Sequence, residues 1–166
     1  MNLVRIPIQE LEKVWALVEK DIKSALAYSG QLNNSDFVFD TAKQGKFQIW
    51  VLWDKNQKLT SDKYFGVCIT EIIQRKLGKV CHIYIMTGRQ RTKWQKLVVD
   101  KIEEFAKEEE CKLMELITRP GWQKILENFG YNRTHVVLEK KIKQEENKWV
   151  FLEEDHQVEV EQQLQQ

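Results

Sequence analysis

The stretch Val80–Thr118, VCHIYIMTGRQRTKWQKLVVDKIEEFAKEEECKLMELIT, changes its hydrophobic period twice, and those changes decide the fold. Val80–Met86 (VCHIYIM) is rich in β-branched and aromatic residues and reads as a strand. From Lys93 to Glu110 the apolar residues Trp94, Leu97, Val98, Ile102, Phe105 and Ala106 fall on one helical face, with acids and lysines opposite. Leu113–Thr118 (LMELIT) returns to a strand. A strand, helix and strand this compact predict a parallel, right-handed crossover between VCHIYIM and LMELIT. Thr92 and Gln95 have the Thr-x-x-Gln spacing of a capping box, so the helix is expected to begin just after Thr92. Its far end carries Glu108, Glu109 and Glu110 where the helix dipole favours cations.

Upstream, Phe47–Trp53 (FQIWVLW) and Tyr64–Ile73 (YFGVCITEII) are strand runs separated by the polar turn Asp54–Lys63, and Leu77-Gly78 turns the chain into VCHIYIM. Three consecutive strands joined by turns form an antiparallel meander. Leu3–Ile8 alternates and is closed as a strand by Pro7. Leu11, Val14, Trp15, Val18, Ile22, Ala25 and Leu26 then recur at helical spacing until Ser29 and Gly30, with a possible break near Lys20. Gln31–Lys46 is polar and irregular around Phe37, Val38 and Phe39 and reads as a loop with at most a short helical turn. Downstream, Pro120–Phe129 reads as a short helix with Gly130 as its C-cap, and Tyr131–Ile142 as a last strand.

At 166 residues the chain is about one domain long, which excludes a multidomain enzyme. Its 42% hydrophobic and 31% charged residues suffice for a core, which excludes a disordered chain. The net charge of +1 conceals a split. Residues 144–166 hold seven acids against Lys148, a net of −6, so residues 1–143 carry +7. We therefore read a domain over 1–143 and an acidic, Gln-rich extension over 144–166. Within the extension Trp149, Val150, Phe151 and Leu152 form an apolar quartet, read as a docking motif for a protein partner or a strand folding back on the domain. Gln157–Gln166 is expected to be disordered. Cys68, Cys81 and Cys111 cannot all pair and form no Cys-x-x-Cys, pointing to a reducing compartment and no structural zinc. No run approaches the roughly 18 apolar residues of a membrane span, so a cytoplasmic protein is expected. The six tryptophans read as core and groove fillers.

The element order from Leu3 to Ile142 resembles that of the GCN5-related N-acetyltransferase (GNAT) superfamily. The sharpest part is Lys79–Lys141, where GWQKILENFGYNRTHVVLEKKI (Gly121–Ile142) looks like the family's closing segment, with Gly130 and Tyr131 as its Gly-aromatic pair. The resemblance implies an α/β fold with a mixed, mostly antiparallel central sheet flanked by helices. It implies acetyl-CoA as cofactor and transfer of its acetyl group to an amine. In the family the strand before the central helix splays from its neighbour, its amides pair with pantetheine, and the pyrophosphate rests on the next helix N-terminus. That places the cofactor contacts here at Ile83, Ile85, Thr87, Arg89, Arg91, Thr92 and Lys93. The family's base, a carboxylate or a water held by one near the meander, has Glu71, His82 and Tyr84 as candidates.

Two positions depart from the family pattern. Its loop runs Gln/Arg-x-x-Gly-x-Gly/Ala, whereas here Arg89 is followed by Gln90, Arg91, Thr92, Lys93 and Trp94, with no glycine after Gly88. Either the Arg89, Arg91 and Lys93 side chains hold the pyrophosphate, or nothing does. The tyrosine four residues before the Gly of the Gly-aromatic pair, a proton donor in many relatives, is Leu126 here. The alternative is thus a catalytically inactive member kept for binding or assembly. The chain also looks like small acetyltransferase-like proteins of tailed bacteriophages, some associated with virion assembly, which would place it in a bacterial host cytoplasm or a virion. Arg75, Lys76, Lys79, Arg89, Arg91, Lys93 and Lys96 gather near the meander turn and the helix start, but a solvated basic face accounts for them without nucleic acid. No metal-ligand spacing appears, and His82, His135 and His156 are scattered.

Overall fold

The computed structural model describes residues 1–29, 32–54 and 64–142. The acidic extension after residue 142, with its apolar quartet, lies outside the described residues. Contacts divide the chain into two compact units, Met1–Arg133 and Thr134–Gln166. Among the described residues, the first carries all the regular elements.

Strand β1 is Asn2–Arg5, followed by a 3-10 turn at Ile8–Glu10. Helix α1 runs unbroken over Leu11–Ser29, so Lys20 interrupts nothing. The stretch read as a loop contains a nine-residue helix, α2 (Ser35–Lys43). Asn34 caps it by accepting the Phe37 amide at 2.9 Å, and Val38 and Ala42, one turn apart, bury its inner face. The meander is β2 (Phe47–Trp53), β3 (Tyr64–Arg75) and β4 (Gly78–Gly88), the last two longer than the apolar runs suggest. A 3-10 turn, Arg91–Lys93, leads into α3 (Gln95–Glu108). Strand β5 is Cys111–Leu116, and a 3-10 turn at Pro120–Trp122 precedes α4 (Gln123–Glu127).

The five strands lie in sequence order, antiparallel from β1 to β4, with β5 parallel to β4 as the crossover requires. This is the mixed, mostly antiparallel sheet expected. Strands β2 to β4 are buried on both faces. One core, with Val18, Ile22, Leu26, Val38, Val51, Val67, Ile69 and Ile85, lies under α1 and α2; the other, with Leu3, Trp50, Leu52, Cys68, Cys81, Ile83, Trp94, Val98 and Ile102, lies under α3.

Two local expectations are corrected, and one oddity of the sequence is explained. Tyr131–Ile142 forms no strand among the described residues; its apolar Val136–Leu138 are consecutive and exposed, so the segment has no separate face to bury. Thr92 does not cap α3: the 3-10 turn displaces the helix start to Gln95, and the N-cap position is Trp94, which makes no side-chain cap bond. The glutamates at the end of α3 are offset by the Lys79 ammonium, which donates to the Glu109 carbonyl at 3.1 Å.

Candidate functional site

The site is set by one extra residue in β4. Ile85 pairs with Ile69 and Ile83 with Thr70, so Tyr84 is inserted in β4 opposite a single step of β3. A bulge of this kind turns two successive side chains to one face. Tyr84 and Ile85 both pack on the α1 core, while Ile83 and Met86 join the α3 core. The bulge falls where β5 ends its partnership. Pairing of β4 with β5 runs from Lys79↔Cys111 to Ile83↔Leu116 and stops there. Beyond it β4 continues for five residues, Tyr84–Gly88, whose β5-facing edge has no strand partner among the described residues. Peptide groups along such an edge are available to an extended, amide-containing ligand.

The loop following that edge is built without small residues. Gly88 serves the sheet: it faces Gly66 across β3, and a Cβ on it would stand 2.3 Å from the Phe65 carbonyl oxygen. Gln90 takes the left-handed conformation (φ 54°). Trp94 is 1% exposed and lies in the α3 core, so its indole supports the loop from beneath instead of filling the gap between strands. Its Nε1 donates to the Arg89 carbonyl at 2.6 Å. Among the described residues no carbonyl accepts the backbone N–H of Arg91, Thr92, Gln95, Lys96 or Leu97, leaving a set of donors at the positive end of α3.

Of the anticipated cofactor residues, Ile83 and Ile85 flank the bulge and Thr87 lies on the unpaired edge. Arg89 is committed to the sheet end: its guanidinium donates to the Tyr64 carbonyl at 2.6 Å and lies 5.4 Å over the Phe65 ring. Arg91 reaches across to the segment after β5, with its guanidinium 4.8 Å over the Trp122 ring. Thr92 and Lys93 are exposed on the 3-10 turn. The arginines are therefore not equivalent, and only Arg91 and Lys93 are placed to meet an anion at α3.

The candidate bases converge on the α1 face. Glu71, His82 and Glu115 are successive partners across β3, β4 and β5. Nδ1 of His82, buried and without a hydrogen bond within the structure, lies 3.5 Å from Oε1 of Glu115. The same carboxylate oxygen accepts from Arg75 at 2.7 Å. Glu71 has no ion-pair partner among the described residues. Tyr84 lies beyond His82, their ring centroids 6.4 Å apart, and its hydroxyl accepts from Nδ2 of Asn33 at 2.8 Å, which leaves its own proton free to donate. Burial raises the Tyr84 pKa, and the Glu71 charge adds to the rise against the Asn33 hydrogen bond. Leu126, on α4, is buried and apolar.

Glu115, Asn33 and Trp122 were not singled out from the sequence, and Arg75 was read only as part of a basic face. A signal existed for Glu115, the one acid in the apolar run LMELIT, but its partner depends on a parallel register that spacing does not reveal. The three cysteines are free, and among the described residues no group of side chains has the makings of a metal site. None of the described helices is long and apolar enough to cross a membrane.

No protein-family model matches the sequence, and no curated protein is significantly similar to it. Solved structures do match the fold. Glucosamine-6-phosphate N-acetyltransferase from Arabidopsis thaliana is 16% identical with a TM-score of 0.59, over 86% of this chain and 98% of that one. A predicted acetyltransferase from Clostridium acetobutylicum, solved with acetyl-CoA, is 14% identical with a TM-score of 0.60, over 84% and 95%. An aminoglycoside acetyltransferase from an uncultured soil metagenomic sample, in complex with sisomicin, is 13% identical with a TM-score of 0.59, over 86% and 96%. The chain has the fold of the GNAT acetyltransferases.

Proposed function

We propose that the chain is an acyl-CoA-dependent N-acetyltransferase. The observation that carries this reading is the coincidence of the Tyr84 bulge with the end of β4–β5 pairing, which bares the β4 edge beside a donor-rich helix start. The residues present fit acetyl-CoA in these terms. The Tyr84–Gly88 edge matches an amide-bearing arm, and the N–H groups at α3 with Arg91 and Lys93 match a pyrophosphate. Backbone pairing does not depend on side-chain identity, so the missing glycines leave the edge intact.

Bound acetyl-CoA supplies an acyl thioester, whose carbonyl carbon accepts the amine nitrogen as the C–S bond breaks. His82 takes the proton of the attacking amine at Nε2 while Glu115 faces Nδ1 across 3.5 Å and favours the charged ring that results. Tyr84, kept neutral by burial, holds a proton one residue from the end of the β5 pairing, a role Leu126 cannot fill. Arg91 gives up its stacking on Trp122, worth about 0.5–1 kcal/mol at an exposed site, to meet the anion.

A second reading keeps the architecture for binding or assembly, including the virion role raised above. Thr92 and Trp94 at the glycine positions, and Leu126, favour it. Calorimetry with acetyl-CoA separates the two. The enzyme reading expects saturable heat, a raised Tm, and weaker binding in Arg91→Ala. No heat and no shift at millimolar ligand would sink it and promote assembly, for which a stable complex with a larger partner on gel filtration is then the expected result.

A further inference from the structure

On the α1 face, His82 is flanked by a carboxylate on each side, Glu71 on β3 and Glu115 on β5. The two are not alike: Glu115 is neutralised by Arg75, whereas Glu71 has no cationic partner among the described residues. Beside this charged row runs an aromatic one. Phe37 lies 6.1 Å from Phe47, Phe47 lies 4.7 Å from Tyr84, and Tyr84 leads to His82. Glu71 and Phe47 also line a cleft of about 820 Å³, together with Ile6, Ile8, Lys46 and Phe105. Arg5, which lines the cleft, is turned onto the Phe105 ring at 5.5 Å. The row around His82 thus offers one carboxylate without a cationic partner among the described residues, a second one paired with Arg75, and a wall of rings.

We propose that the acceptor is a primary amine on an aromatic or otherwise apolar body, its ammonium held at Glu71 beside His82 and its body laid against Phe47 and Tyr84. The inference rests on the N-acetyltransfer reading and narrows it. A cation entering this row gains a charge-assisted hydrogen bond to Glu71, and a ring gains the edge and stacking contacts of the aromatic wall. A phosphorylated amino sugar fits less well: with its amine at Glu71 its hydroxyls would meet the Phe47 and Tyr84 rings, and the Arg75 guanidinium is already paired with Glu115. The chemistry here therefore differs from the glucosamine 6-phosphate that gives one structural neighbour its name. The ammonium gives one proton to His82 to become the attacking amine, and the second N–H proton, shed as the C–S bond breaks, would replace the one that Tyr84 gives to the leaving thiolate.

The test titrates the intact chain calorimetrically with 2-phenylethylamine, ethylamine and glucosamine 6-phosphate, each with and without saturating acetyl-CoA, and follows thiol release in parallel. The expected results are tightest binding for 2-phenylethylamine and a kcat/KM at least about 100-fold above that for glucosamine 6-phosphate. Glu71→Gln is expected to weaken the amine about 10-fold. Absence of 2-phenylethylamine binding in both titrations would overturn the proposal, as would preference for the phosphosugar or an unchanged affinity in Glu71→Gln. The two readings fail separately. Amine binding that depends on Glu71 in a chain that does not bind acetyl-CoA would keep the amine site and remove the transfer reaction. Acetyl-CoA binding without amine binding would do the reverse.

Discussion

Nδ1 of His82 faces Oε1 of Glu115 across 3.5 Å at the last rung but one that β4 and β5 share, immediately before the strands part. The Arg75 guanidinium, from the far end of β3, holds that carboxylate at 2.7 Å. A histidine beside the open edge thus has an Arg75-paired carboxylate next to its inner ring nitrogen, and closing that gap to a hydrogen bond would fix which ring nitrogen keeps the proton.

His82→Gln is therefore expected to lower kcat by about 10²–10⁴-fold, the usual range for loss of a general base. Glu115→Gln keeps a side chain of the same size but orients the ring less firmly, so kcat falls by about 10-fold while KM for the amine stays near the wild-type value. Steady-state kinetics on purified variants checks both. A Glu115→Gln chain whose imidazole nitrogen chemical shifts match those of the wild type would show that the carboxylate does not set the tautomer.

Much of the fold was legible because burial on both faces writes strands as near-continuous apolar runs: Phe47–Trp53 is β2 to the residue. The helix at Gln95–Glu108 showed itself by period. Helix α2 did not, because nine residues with only Val38 and Ala42 well buried among their apolar members leave too little pattern. Nor did the bulge. In VCHIYIM the alternation is the same whether or not Tyr84 is inserted, and only the pairing partners of Ile83 and Ile85 reveal it. The base candidates could be named on β3 and β4, since turns dictate antiparallel neighbours, but Glu115 reaches His82 through a crossover whose register is set by tertiary packing. The capping box failed for a local reason: the buried indole of Trp94 bonds the Arg89 carbonyl and draws the chain into a 3-10 turn first.

That indole makes the next prediction. Trp94 is fully buried and provides both volume and a hydrogen bond to the loop that opens α3. Trp94→Ala should cost about 3–5 kcal/mol, as large-to-small aromatic substitutions in cores do. Trp94→Phe retains most of the volume and should cost less, chiefly the bond to the Arg89 carbonyl, about 1 kcal/mol. Urea denaturation midpoints measure both. A Trp94→Ala chain as stable as the wild type would mean that the indole is not packed as described.

Gln90 offers a gain instead of a loss. Its φ of 54° places a residue with a Cβ in the left-handed region, which costs an L-residue roughly 1 kcal/mol or more. Gln90→Gly relieves that strain while adding chain entropy to the unfolded state, so a small net stabilisation is expected, under about 1 kcal/mol. The more telling readout is acetyl-CoA affinity, which should be retained or improved because the loop conformation is already the one a glycine prefers. A large loss of affinity would show that the Gln90 side chain itself contacts the ligand.

The buried acids of the sheet give the fold a dependence on alkaline pH. Burial pushes the Cys68 thiol well above its ordinary value of 9.0 and the Cys81 thiol up to about 12. Burial raises the Tyr64 and Tyr131 phenols in the same direction. A group whose pKa is raised by folding keeps its proton in the native state after the unfolded chain has lost it. Stability is therefore level below about pH 9 and falls above it, because the unfolded state alone gains from ionisation. For each thiol the slope is about 1.4 kcal/mol per pH unit, and for Cys81 it continues until the folded group itself titrates near pH 12. Denaturation midpoints at pH 7.5, 9 and 10 should be equal over the first interval and lower over the second. The Cys81→Ala variant should lose part of that decline although it starts from a lower stability. A midpoint that stays constant from pH 9 to 10 would mean that the thiols ionise as readily in the native sheet as in the unfolded chain, and that the α3 face of the sheet is open to water.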